Sequence, residues 1–216
     1  MSGEVDATTG TVNLSARAYG ALSRMIHERR LRGGEAILEA KLAADLAISR
    51  TPLREALQRL EGEGLVTKVG GRSYTVRRVD LAEYLHSLKV REILEPEAAA
   101  LAAGTVSPEA IAAVRAEIVA LVPASYLEAA HWQADAHLHG LFIDACGNPV
   151  MRDVLKGLRA TTHLFEVARL QDRLVPDNAE HLAILDGLEL GDPRAARRAV
   201  QTHIRSLTRY ALSAVS

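Results

Sequence analysis

The chain has little cysteine and few aromatic residues. Among its 216 residues Cys146 is the single cysteine, and Phe, Trp and Tyr together make up 4%. One cysteine excludes an intrachain disulfide and fits a reducing cytoplasm. No apolar run reaches the length of a membrane span, and no signal peptide precedes the first predicted helix. We therefore expect a cytoplasmic protein without membrane contact, and the many alanines and leucines favour helices.

A net charge of one sign is also missing, but the charges are unevenly divided. Residues 1–78 carry 13 Lys and Arg against 9 Asp and Glu, whereas residues 79–216 carry 13 against 18. A basic first part and an acidic second part suit one module that binds DNA and another that does not. We predict a disordered tail over residues 1–12, a DNA-binding domain over 13–79 and a helical domain over 80–216.

The stretch most informative about function is SRTPLREALQRL, residues 49–60. Ser49 suits a helix N-cap, and Pro52 is tolerated in a first turn, where N–H groups lack intrahelical partners. Apolar residues follow at helical spacing and predict a buried stripe. The exposed start of this helix carries cationic and hydroxyl side chains, the chemistry that reads the DNA major groove. These side chains are Arg50, Thr51 and Arg54.

The flanking segments predict a winged helix-turn-helix. A longer helix over 15–30 precedes a short helix over 39–46, and Ala47 and Ile48 form the turn. After the basic helix, two predicted strands over 65–69 and 73–77 flank Gly70-Gly71-Arg72, a hairpin turn that needs positive φ. The alternative, in which Arg50 and Arg54 form only a solvated helix face, explains one helix but not this whole order.

This region resembles the DNA-binding domain of the GntR family of bacterial transcription regulators. The similarity covers about sixty residues and rests on LAADL at 42–46, SRTPLREAL at 49–57, Leu60-Glu61, Gly64-Leu65-Val66 and Gly71-Arg72. One departure is Gly33, where the family usually has proline. The resemblance implies that Arg50, Thr51 and Arg54 contact bases and phosphates, with Gly71 and Arg72 at the wing. It also implies a homodimer on a palindromic double-stranded operator.

The second half predicts helices only. Asp80 with Glu83 has the spacing of a capping box, Ser107-Pro108 begins another helix, and Asp177 with Glu180 begins a later one. Pro96 is a candidate kink or break. The expected fold class is therefore mainly α: a winged helix-turn-helix domain with a small β-hairpin, followed by an all-α bundle of six or seven helices.

Four residues of the bundle form a candidate site for a divalent transition metal ion. Asp135 and His139 lie four apart on one helix and share a face, while His181 and His203 belong to the last two helices. Three imidazoles and one carboxylate suit such an ion. Each histidine alone is more often a half-buried core residue, and His131 competes with His139 on the same stripe.

The bundle resembles the FCD effector domain of the FadR subfamily. The similar motifs are VREILE at 90–95, Asp135-x3-His139, Gly147-Asn148-Pro149, Glu180-His181 and Ala199-x3-His203. In that family the aspartate and three histidines bind a metal, so the resemblance favours His139 over His131. It implies zinc, nickel or manganese bound by Asp135, His139, His181 and His203.

A metal beside Arg91 would make a cationic site within an apolar bundle. An arginine fork matches a carboxylate, so a small organic acid is the expected effector, with Arg159 or His163 as further contacts. Two alternatives stay open: a repressor that senses the metal itself, and a metal-dependent hydrolase with Glu180 as a weak general base.

Overall fold

The computed structural model describes residues 7–71, 73–124, 129–169 and 173–214. Over these ranges it contains nine helices and three short strands, and the mainly α prediction is confirmed. The elements in chain order are α1 (Ala7–His27), β1 (Ala36–Ile37), α2 (Glu39–Asp45), α3 (Arg50–Gly62), β2 (Val66–Val69), β3 (Ser73–Val76), α4 (Leu81–Ala102), α5 (Pro108–Leu121), α6 (Ala129–Ala145), α7 (Pro149–Arg169), α8 (Leu174–Glu189) and α9 (Pro193–Ala214).

The chain divides into two compact units, Met1–Arg78 and Val79–Ser216. In the first unit α3 packs against α1 and α2, and a three-stranded antiparallel sheet has the order β1-β3-β2. Strands β2 and β3 pair Val66 with Val76 and Val69 with Ser73, which gives the expected hairpin. Strand β1 was not predicted, because two residues are too few for a periodic signal.

Two local expectations in this unit differ from the structure. Residues 7–12 belong to α1 rather than to a disordered tail. A helix already formed further along extends at little cost, even through residues of modest propensity. Ser49 occupies the N-cap position of α3 with an extended backbone, but its side chain makes no capping hydrogen bond. The buried stripe of α3 instead fixes the helix, through Leu53, Leu57 and Leu60.

The second unit consists of six helices over its described residues, within the expected six or seven. Helix α4 is central and packs against α6, α7 and α9, while α8 packs against α9 and α5. The Asp80 cap is present, with its carboxylate accepting a hydrogen bond from the Glu83 N–H at 2.8 Å. Pro96 does not break α4, because the following turns are held by the fully buried Ala98 and Ala99.

Helices α8 and α9 approach each other closely at a glycine. A Cβ atom added at Gly187 would lie 2.8 Å from the backbone of Ala196, so only glycine fits there without movement. This contact holds together the two helices that carry His181 and His203. Helix α8 itself begins at Leu174, three residues before the start that Asp177 suggested. None of the helices in the described ranges has the length and hydropathy needed to cross a membrane.

Candidate functional site

The exposed start of α3 presents the side chains predicted to contact DNA. Arg50, Thr51 and Arg54 are all exposed, while the opposite face of the helix is buried. The Nε atom of Arg54 donates a hydrogen bond to Oε2 of Glu39, at the first residue of α2, over 2.7 Å. This ion pair orients the Arg54 side chain between the two helices of the helix-turn-helix.

The hairpin turn between β2 and β3 has the predicted backbone. Gly70 and Gly71 have φ values of 60° and 74°, a region that favours glycine. Gly71 is exposed at the tip. The predicted wing residue Arg72 lies outside the described residues.

The four residues predicted to bind a metal come together in the second unit. Asp135 and His139 on α6, His181 on α8 and His203 on α9 each offer one ligand atom, and these atoms lie within 4.8 Å of one another. The imidazole centroids are 4.8 to 6.0 Å apart. His139 and His203 are fully buried, and His181 is nearly so. His131 does not belong to this cluster, and His137 faces outward against Glu117, as expected.

The free nitrogens of the three imidazoles point at one another. Within the described parts of the chain, the Nε2 atoms of His139, His181 and His203 are buried without a hydrogen-bond partner. Oδ1 of Asp135 lies 3.6 Å from Nε2 of both His139 and His181, which is too long for a hydrogen bond. Buried polar atoms are normally paired, so three such nitrogens around one carboxylate indicate a place for a cation.

Two buried carboxylates hold these imidazoles from behind. Oε2 of Glu95 lies 2.8 Å from Nδ1 of His139, and Oε2 of Glu180 lies 2.9 Å from Nδ1 of His203. An ionised carboxylate only accepts hydrogen bonds, so each Nδ1 carries the proton and each Nε2 keeps its lone pair. Carboxylates in this position fix the tautomer and orientation of metal-binding histidines.

The ionisation states at the cluster also suit a cation. Burial lowers the pKa of His139 to about 4 and places the pKa of His181 well below its ordinary value. Burial opposes ionisation of Glu95 and Asp135, yet neighbouring arginines and His139 outweigh it and lower both carboxyl pKa values. Neutral imidazoles and ionised carboxylates are the forms that bind metal ions, so the residues present fit such a group.

The predicted effector-side arginines both engage carboxylates of the site. Arg91 is buried, and it donates to Oε1 of Glu95 over 2.5 Å and to the Thr162 hydroxyl over 2.7 Å. Arg159 donates to Oδ2 of Asp135 over 2.5 Å. Its side chain is 16% exposed, so it lies in the interior rather than at the surface.

His163 lies next to the pocket wall. Its ring packs edge-on against Trp132, with the ring centroids 5.0 Å apart. Trp132 lines a pocket that also contains Arg91, Asp135, His181 and His203. The cavity volume is about 40 Å³.

Sequence reasoning missed Arg173, a buried arginine of this pocket. Its Nε donates to Oδ1 of Asp177 over 2.7 Å, and one terminal nitrogen donates to Oε2 of Glu180 over 2.5 Å. Both terminal nitrogens also contact the hydroxyl of Ser206. The same Glu180 oxygen therefore accepts from Arg173 and from His203. Its spacing of four and seven from two acidic residues was the available signal.

Comparisons with known proteins match both units. The family model "Bacterial regulatory proteins, gntR family" matches residues 14–76, and the FCD domain model matches residues 86–206. The chain is 30% identical to the "Probable D-xylose utilization operon transcriptional repressor" of Paenarthrobacter nicotinovorans, over 83% of this chain and 80% of that protein.

Two further similarities are narrower in what they show. The chain is 39% identical to the "Nta operon transcriptional regulator" of Aminobacter aminovorans, but over only 39% of this chain and 40% of that protein. Among solved structures, "E. coli McbR/YncC" has a TM-score of 0.77 at 18% identity, covering 94% of this chain and 99% of that one. At that identity the similarity concerns the fold alone.

Proposed function

Since the chain belongs to the gntR family of bacterial regulatory proteins and carries an FCD domain, we propose that it controls transcription in response to a small carboxylate bound at a metal site. The family consists of transcriptional regulators and not of enzymes, which removes the hydrolase alternative. One observation carries the ligand-binding part: three buried Nε2 atoms and the Asp135 carboxylate converge on a single place.

Helix α3 and the hairpin are the proposed DNA-binding surface. Arg50, Thr51 and Arg54 are exposed at the helix start, where arginine can contact guanine edges and phosphates. Gly71 and Arg72 are the proposed wing contacts. A homodimer would present two such helices to a palindromic double-stranded operator, with one helix for each half-site.

Asp135, His139, His181 and His203 are the proposed ligands of a divalent transition metal ion. Three nitrogens and one oxygen suit zinc, nickel or manganese. Such an ion supplies positive charge and vacant coordination positions for oxygen donors. Glu95 and Glu180 orient two of the imidazoles, and Arg159 holds the Asp135 oxygen Oδ2 while Oδ1 faces the histidines.

Arg91 is the proposed contact for the effector's carboxylate. It lines the pocket together with Asp135 and His181, and its fork suits bidentate binding. Arg159 and His163 belong to the proposed effector site through Asp135 and Trp132, the pocket-lining residues that they contact. An effector that prefers one arrangement of the helices shifts the DNA affinity, and such coupling is typically about 1–3 kcal/mol.

A repressor that senses only the metal is the second candidate. The small cavity favours it, because a site of about 40 Å³ is complete as a metal site without an organic ligand. The two candidates predict different behaviour on DNA. Release by the metal alone supports the sensor, and release that also requires an acid supports the carboxylate-responsive regulator.

The test compares operator binding by the native protein with that by two variants. We expect an organic acid to change the affinity of the metal-loaded protein for its operator, and His181→Ala to abolish this response. His137→Ala is the matched control, because His137 is exposed and outside the cluster. A full response in His181→Ala, or in chelated protein, would exclude the metal site from the mechanism.

A further inference from the structure

The ionic groups around the candidate metal centre form one connected network. Glu95 joins Arg91 to His139, Asp135 joins Arg159 to the histidines, and Glu180 joins His203 to Arg173. The charged members are the arginines Arg91, Arg159 and Arg173 and the carboxylates Glu95, Asp135, Asp177 and Glu180. Three positive and four negative charges give a net charge of −1 when the imidazoles are neutral, as metal binding requires.

This net charge determines what kind of anion the pocket accepts. A divalent cation changes the net charge from −1 to +1, and one carboxylate then brings it to zero. A second carboxylate would leave the site negative again. Burying such an unbalanced charge is costly, because little water is present to solvate it.

No arginine of the network is left over for a second carboxylate. Arg91 holds Glu95, Arg159 holds Asp135, and Arg173 holds both Asp177 and Glu180. An incoming second carboxylate would have to displace one of these protein carboxylates. The displaced group would then lack its partner, and a buried charge without a partner is strongly destabilising.

The size and the wall of the pocket restrict the rest of the ligand. A cavity of about 40 Å³ holds roughly three water molecules, at about 10–15 Å³ of such space for each. Apolar side chains make up much of the remaining wall. They are Ile118, Leu121, Trp132, Ala134, Leu174 and Leu207. A short, mainly apolar body fits this space, whereas a polyhydroxylated or multiply charged body does not.

We propose that the effector is a short-chain monocarboxylate whose single charge balances the metal-loaded site. The inference rests on the proposed function, and it narrows the ligand from organic acids in general to acids with one carboxylate and few carbons. It excludes dicarboxylates and tricarboxylates as high-affinity ligands.

Butyrate and succinate provide a matched pair of probes, because both have four carbons and they differ in one carboxylate. Binding to metal-loaded protein is measured by calorimetry at constant ionic strength, together with thermal shifts. We expect butyrate to bind at least tenfold more tightly than succinate, and a chelator to abolish butyrate binding. Hexanoate tests the size limit and is expected to bind more weakly than butyrate.

A charge variant separates the effect of charge from the effect of shape. Asp177→Asn removes one negative charge from the network and leaves Arg173 with a single carboxylate partner. We expect this variant to gain affinity for succinate relative to butyrate. Asp153→Asn is the control, since Asp153 is 68% exposed and pairs with Arg152 away from the pocket, and it should leave the ratio unchanged.

Succinate binding as tightly as butyrate would overturn the monocarboxylate inference and leave the proposed function intact. So would an Asp177→Asn variant with an unchanged ratio. If metal-loaded protein binds neither these acids nor any other carboxylate of a broad panel, both the inference and the carboxylate part of the proposed function fail.

Discussion

Glu180 gives the sharpest test of how the candidate metal centre is built. Its Oε2 atom lies 2.9 Å from Nδ1 of His203, and its side chain is 18% exposed. Glu180→Gln keeps the size of the side chain and an oxygen acceptor, but it removes the charge that makes the imidazole a better ligand. Loss of such a carboxylate typically weakens metal binding about 10–100-fold, or about 1.4–2.7 kcal/mol.

The chain offers a matched control for this substitution. Glu117 contacts Nδ1 of His137 at 2.7 Å, so the same chemical pair occurs at an exposed position outside the cluster. Competition with a chromophoric chelator measures the metal dissociation constant of the native protein, Glu180→Gln and Glu117→Gln. Thermal unfolding of the chelated proteins checks that all three are folded.

We expect Glu180→Gln alone to shift the metal dissociation constant. If both variants retain native metal affinity, the carboxylate does not support a metal ligand. If both lose affinity equally, the effect is a general loss of charge and not the contact with His203.

Three further predictions concern pH, packing and DNA. The free energy of unfolding of chelated protein should fall as pH drops from about 6.5 towards 4, because the unfolded chain binds protons that buried His139, with a pKa of about 4, does not. Urea titrations should show a loss of up to about 3 kcal/mol, and a flat profile would contradict the buried neutral imidazole. Gly187→Ala should destabilise by about 1–3 kcal/mol through overpacking against α9, whereas Gly157→Ala, in a helix with no atom within 4 Å of the added Cβ, should be neutral or stabilising in the same denaturation assay. Arg54→Ala should weaken operator binding by about 1–3 kcal/mol in a fluorescence titration; Arg59→Ala, on the same helix but packed on Tyr19, should not, and equal losses would exclude a specific Arg54 contact.

Local patterns predicted the helices and the members of the cluster on one helix. Asp135 and His139 share a face because they are four residues apart, and this follows from helix geometry alone. His181 and His203 lie on other helices, so their convergence depends on how α6, α8 and α9 pack. Only the family resemblance, and not residue spacing, pointed to that packing.

The carboxylates behind the imidazoles were beyond the reach of sequence patterns. Glu95 is 44 residues from His139, and their contact exists because α4 packs on α6. Arg173 and Glu180 meet across two turns of α8, but the hydroxyl of Ser206 that completes their contact comes from α9. Such long-range polar contacts depend on tertiary structure, and no periodicity of charged residues records them.

The direction of the unsatisfied nitrogens argues against a purely structural role for the cluster. Buried ion pairs are a weak source of stability, and apolar residues of similar volume often serve a helix bundle better. Structural histidines would also be expected to satisfy both ring nitrogens. Here Nδ1 of His139 and Nδ1 of His203 are satisfied from outside, while Nε2 of each faces the centre without a partner among the described residues. The bundle carries the cost of these desolvated nitrogens, and binding of a cation is the event that would offset it.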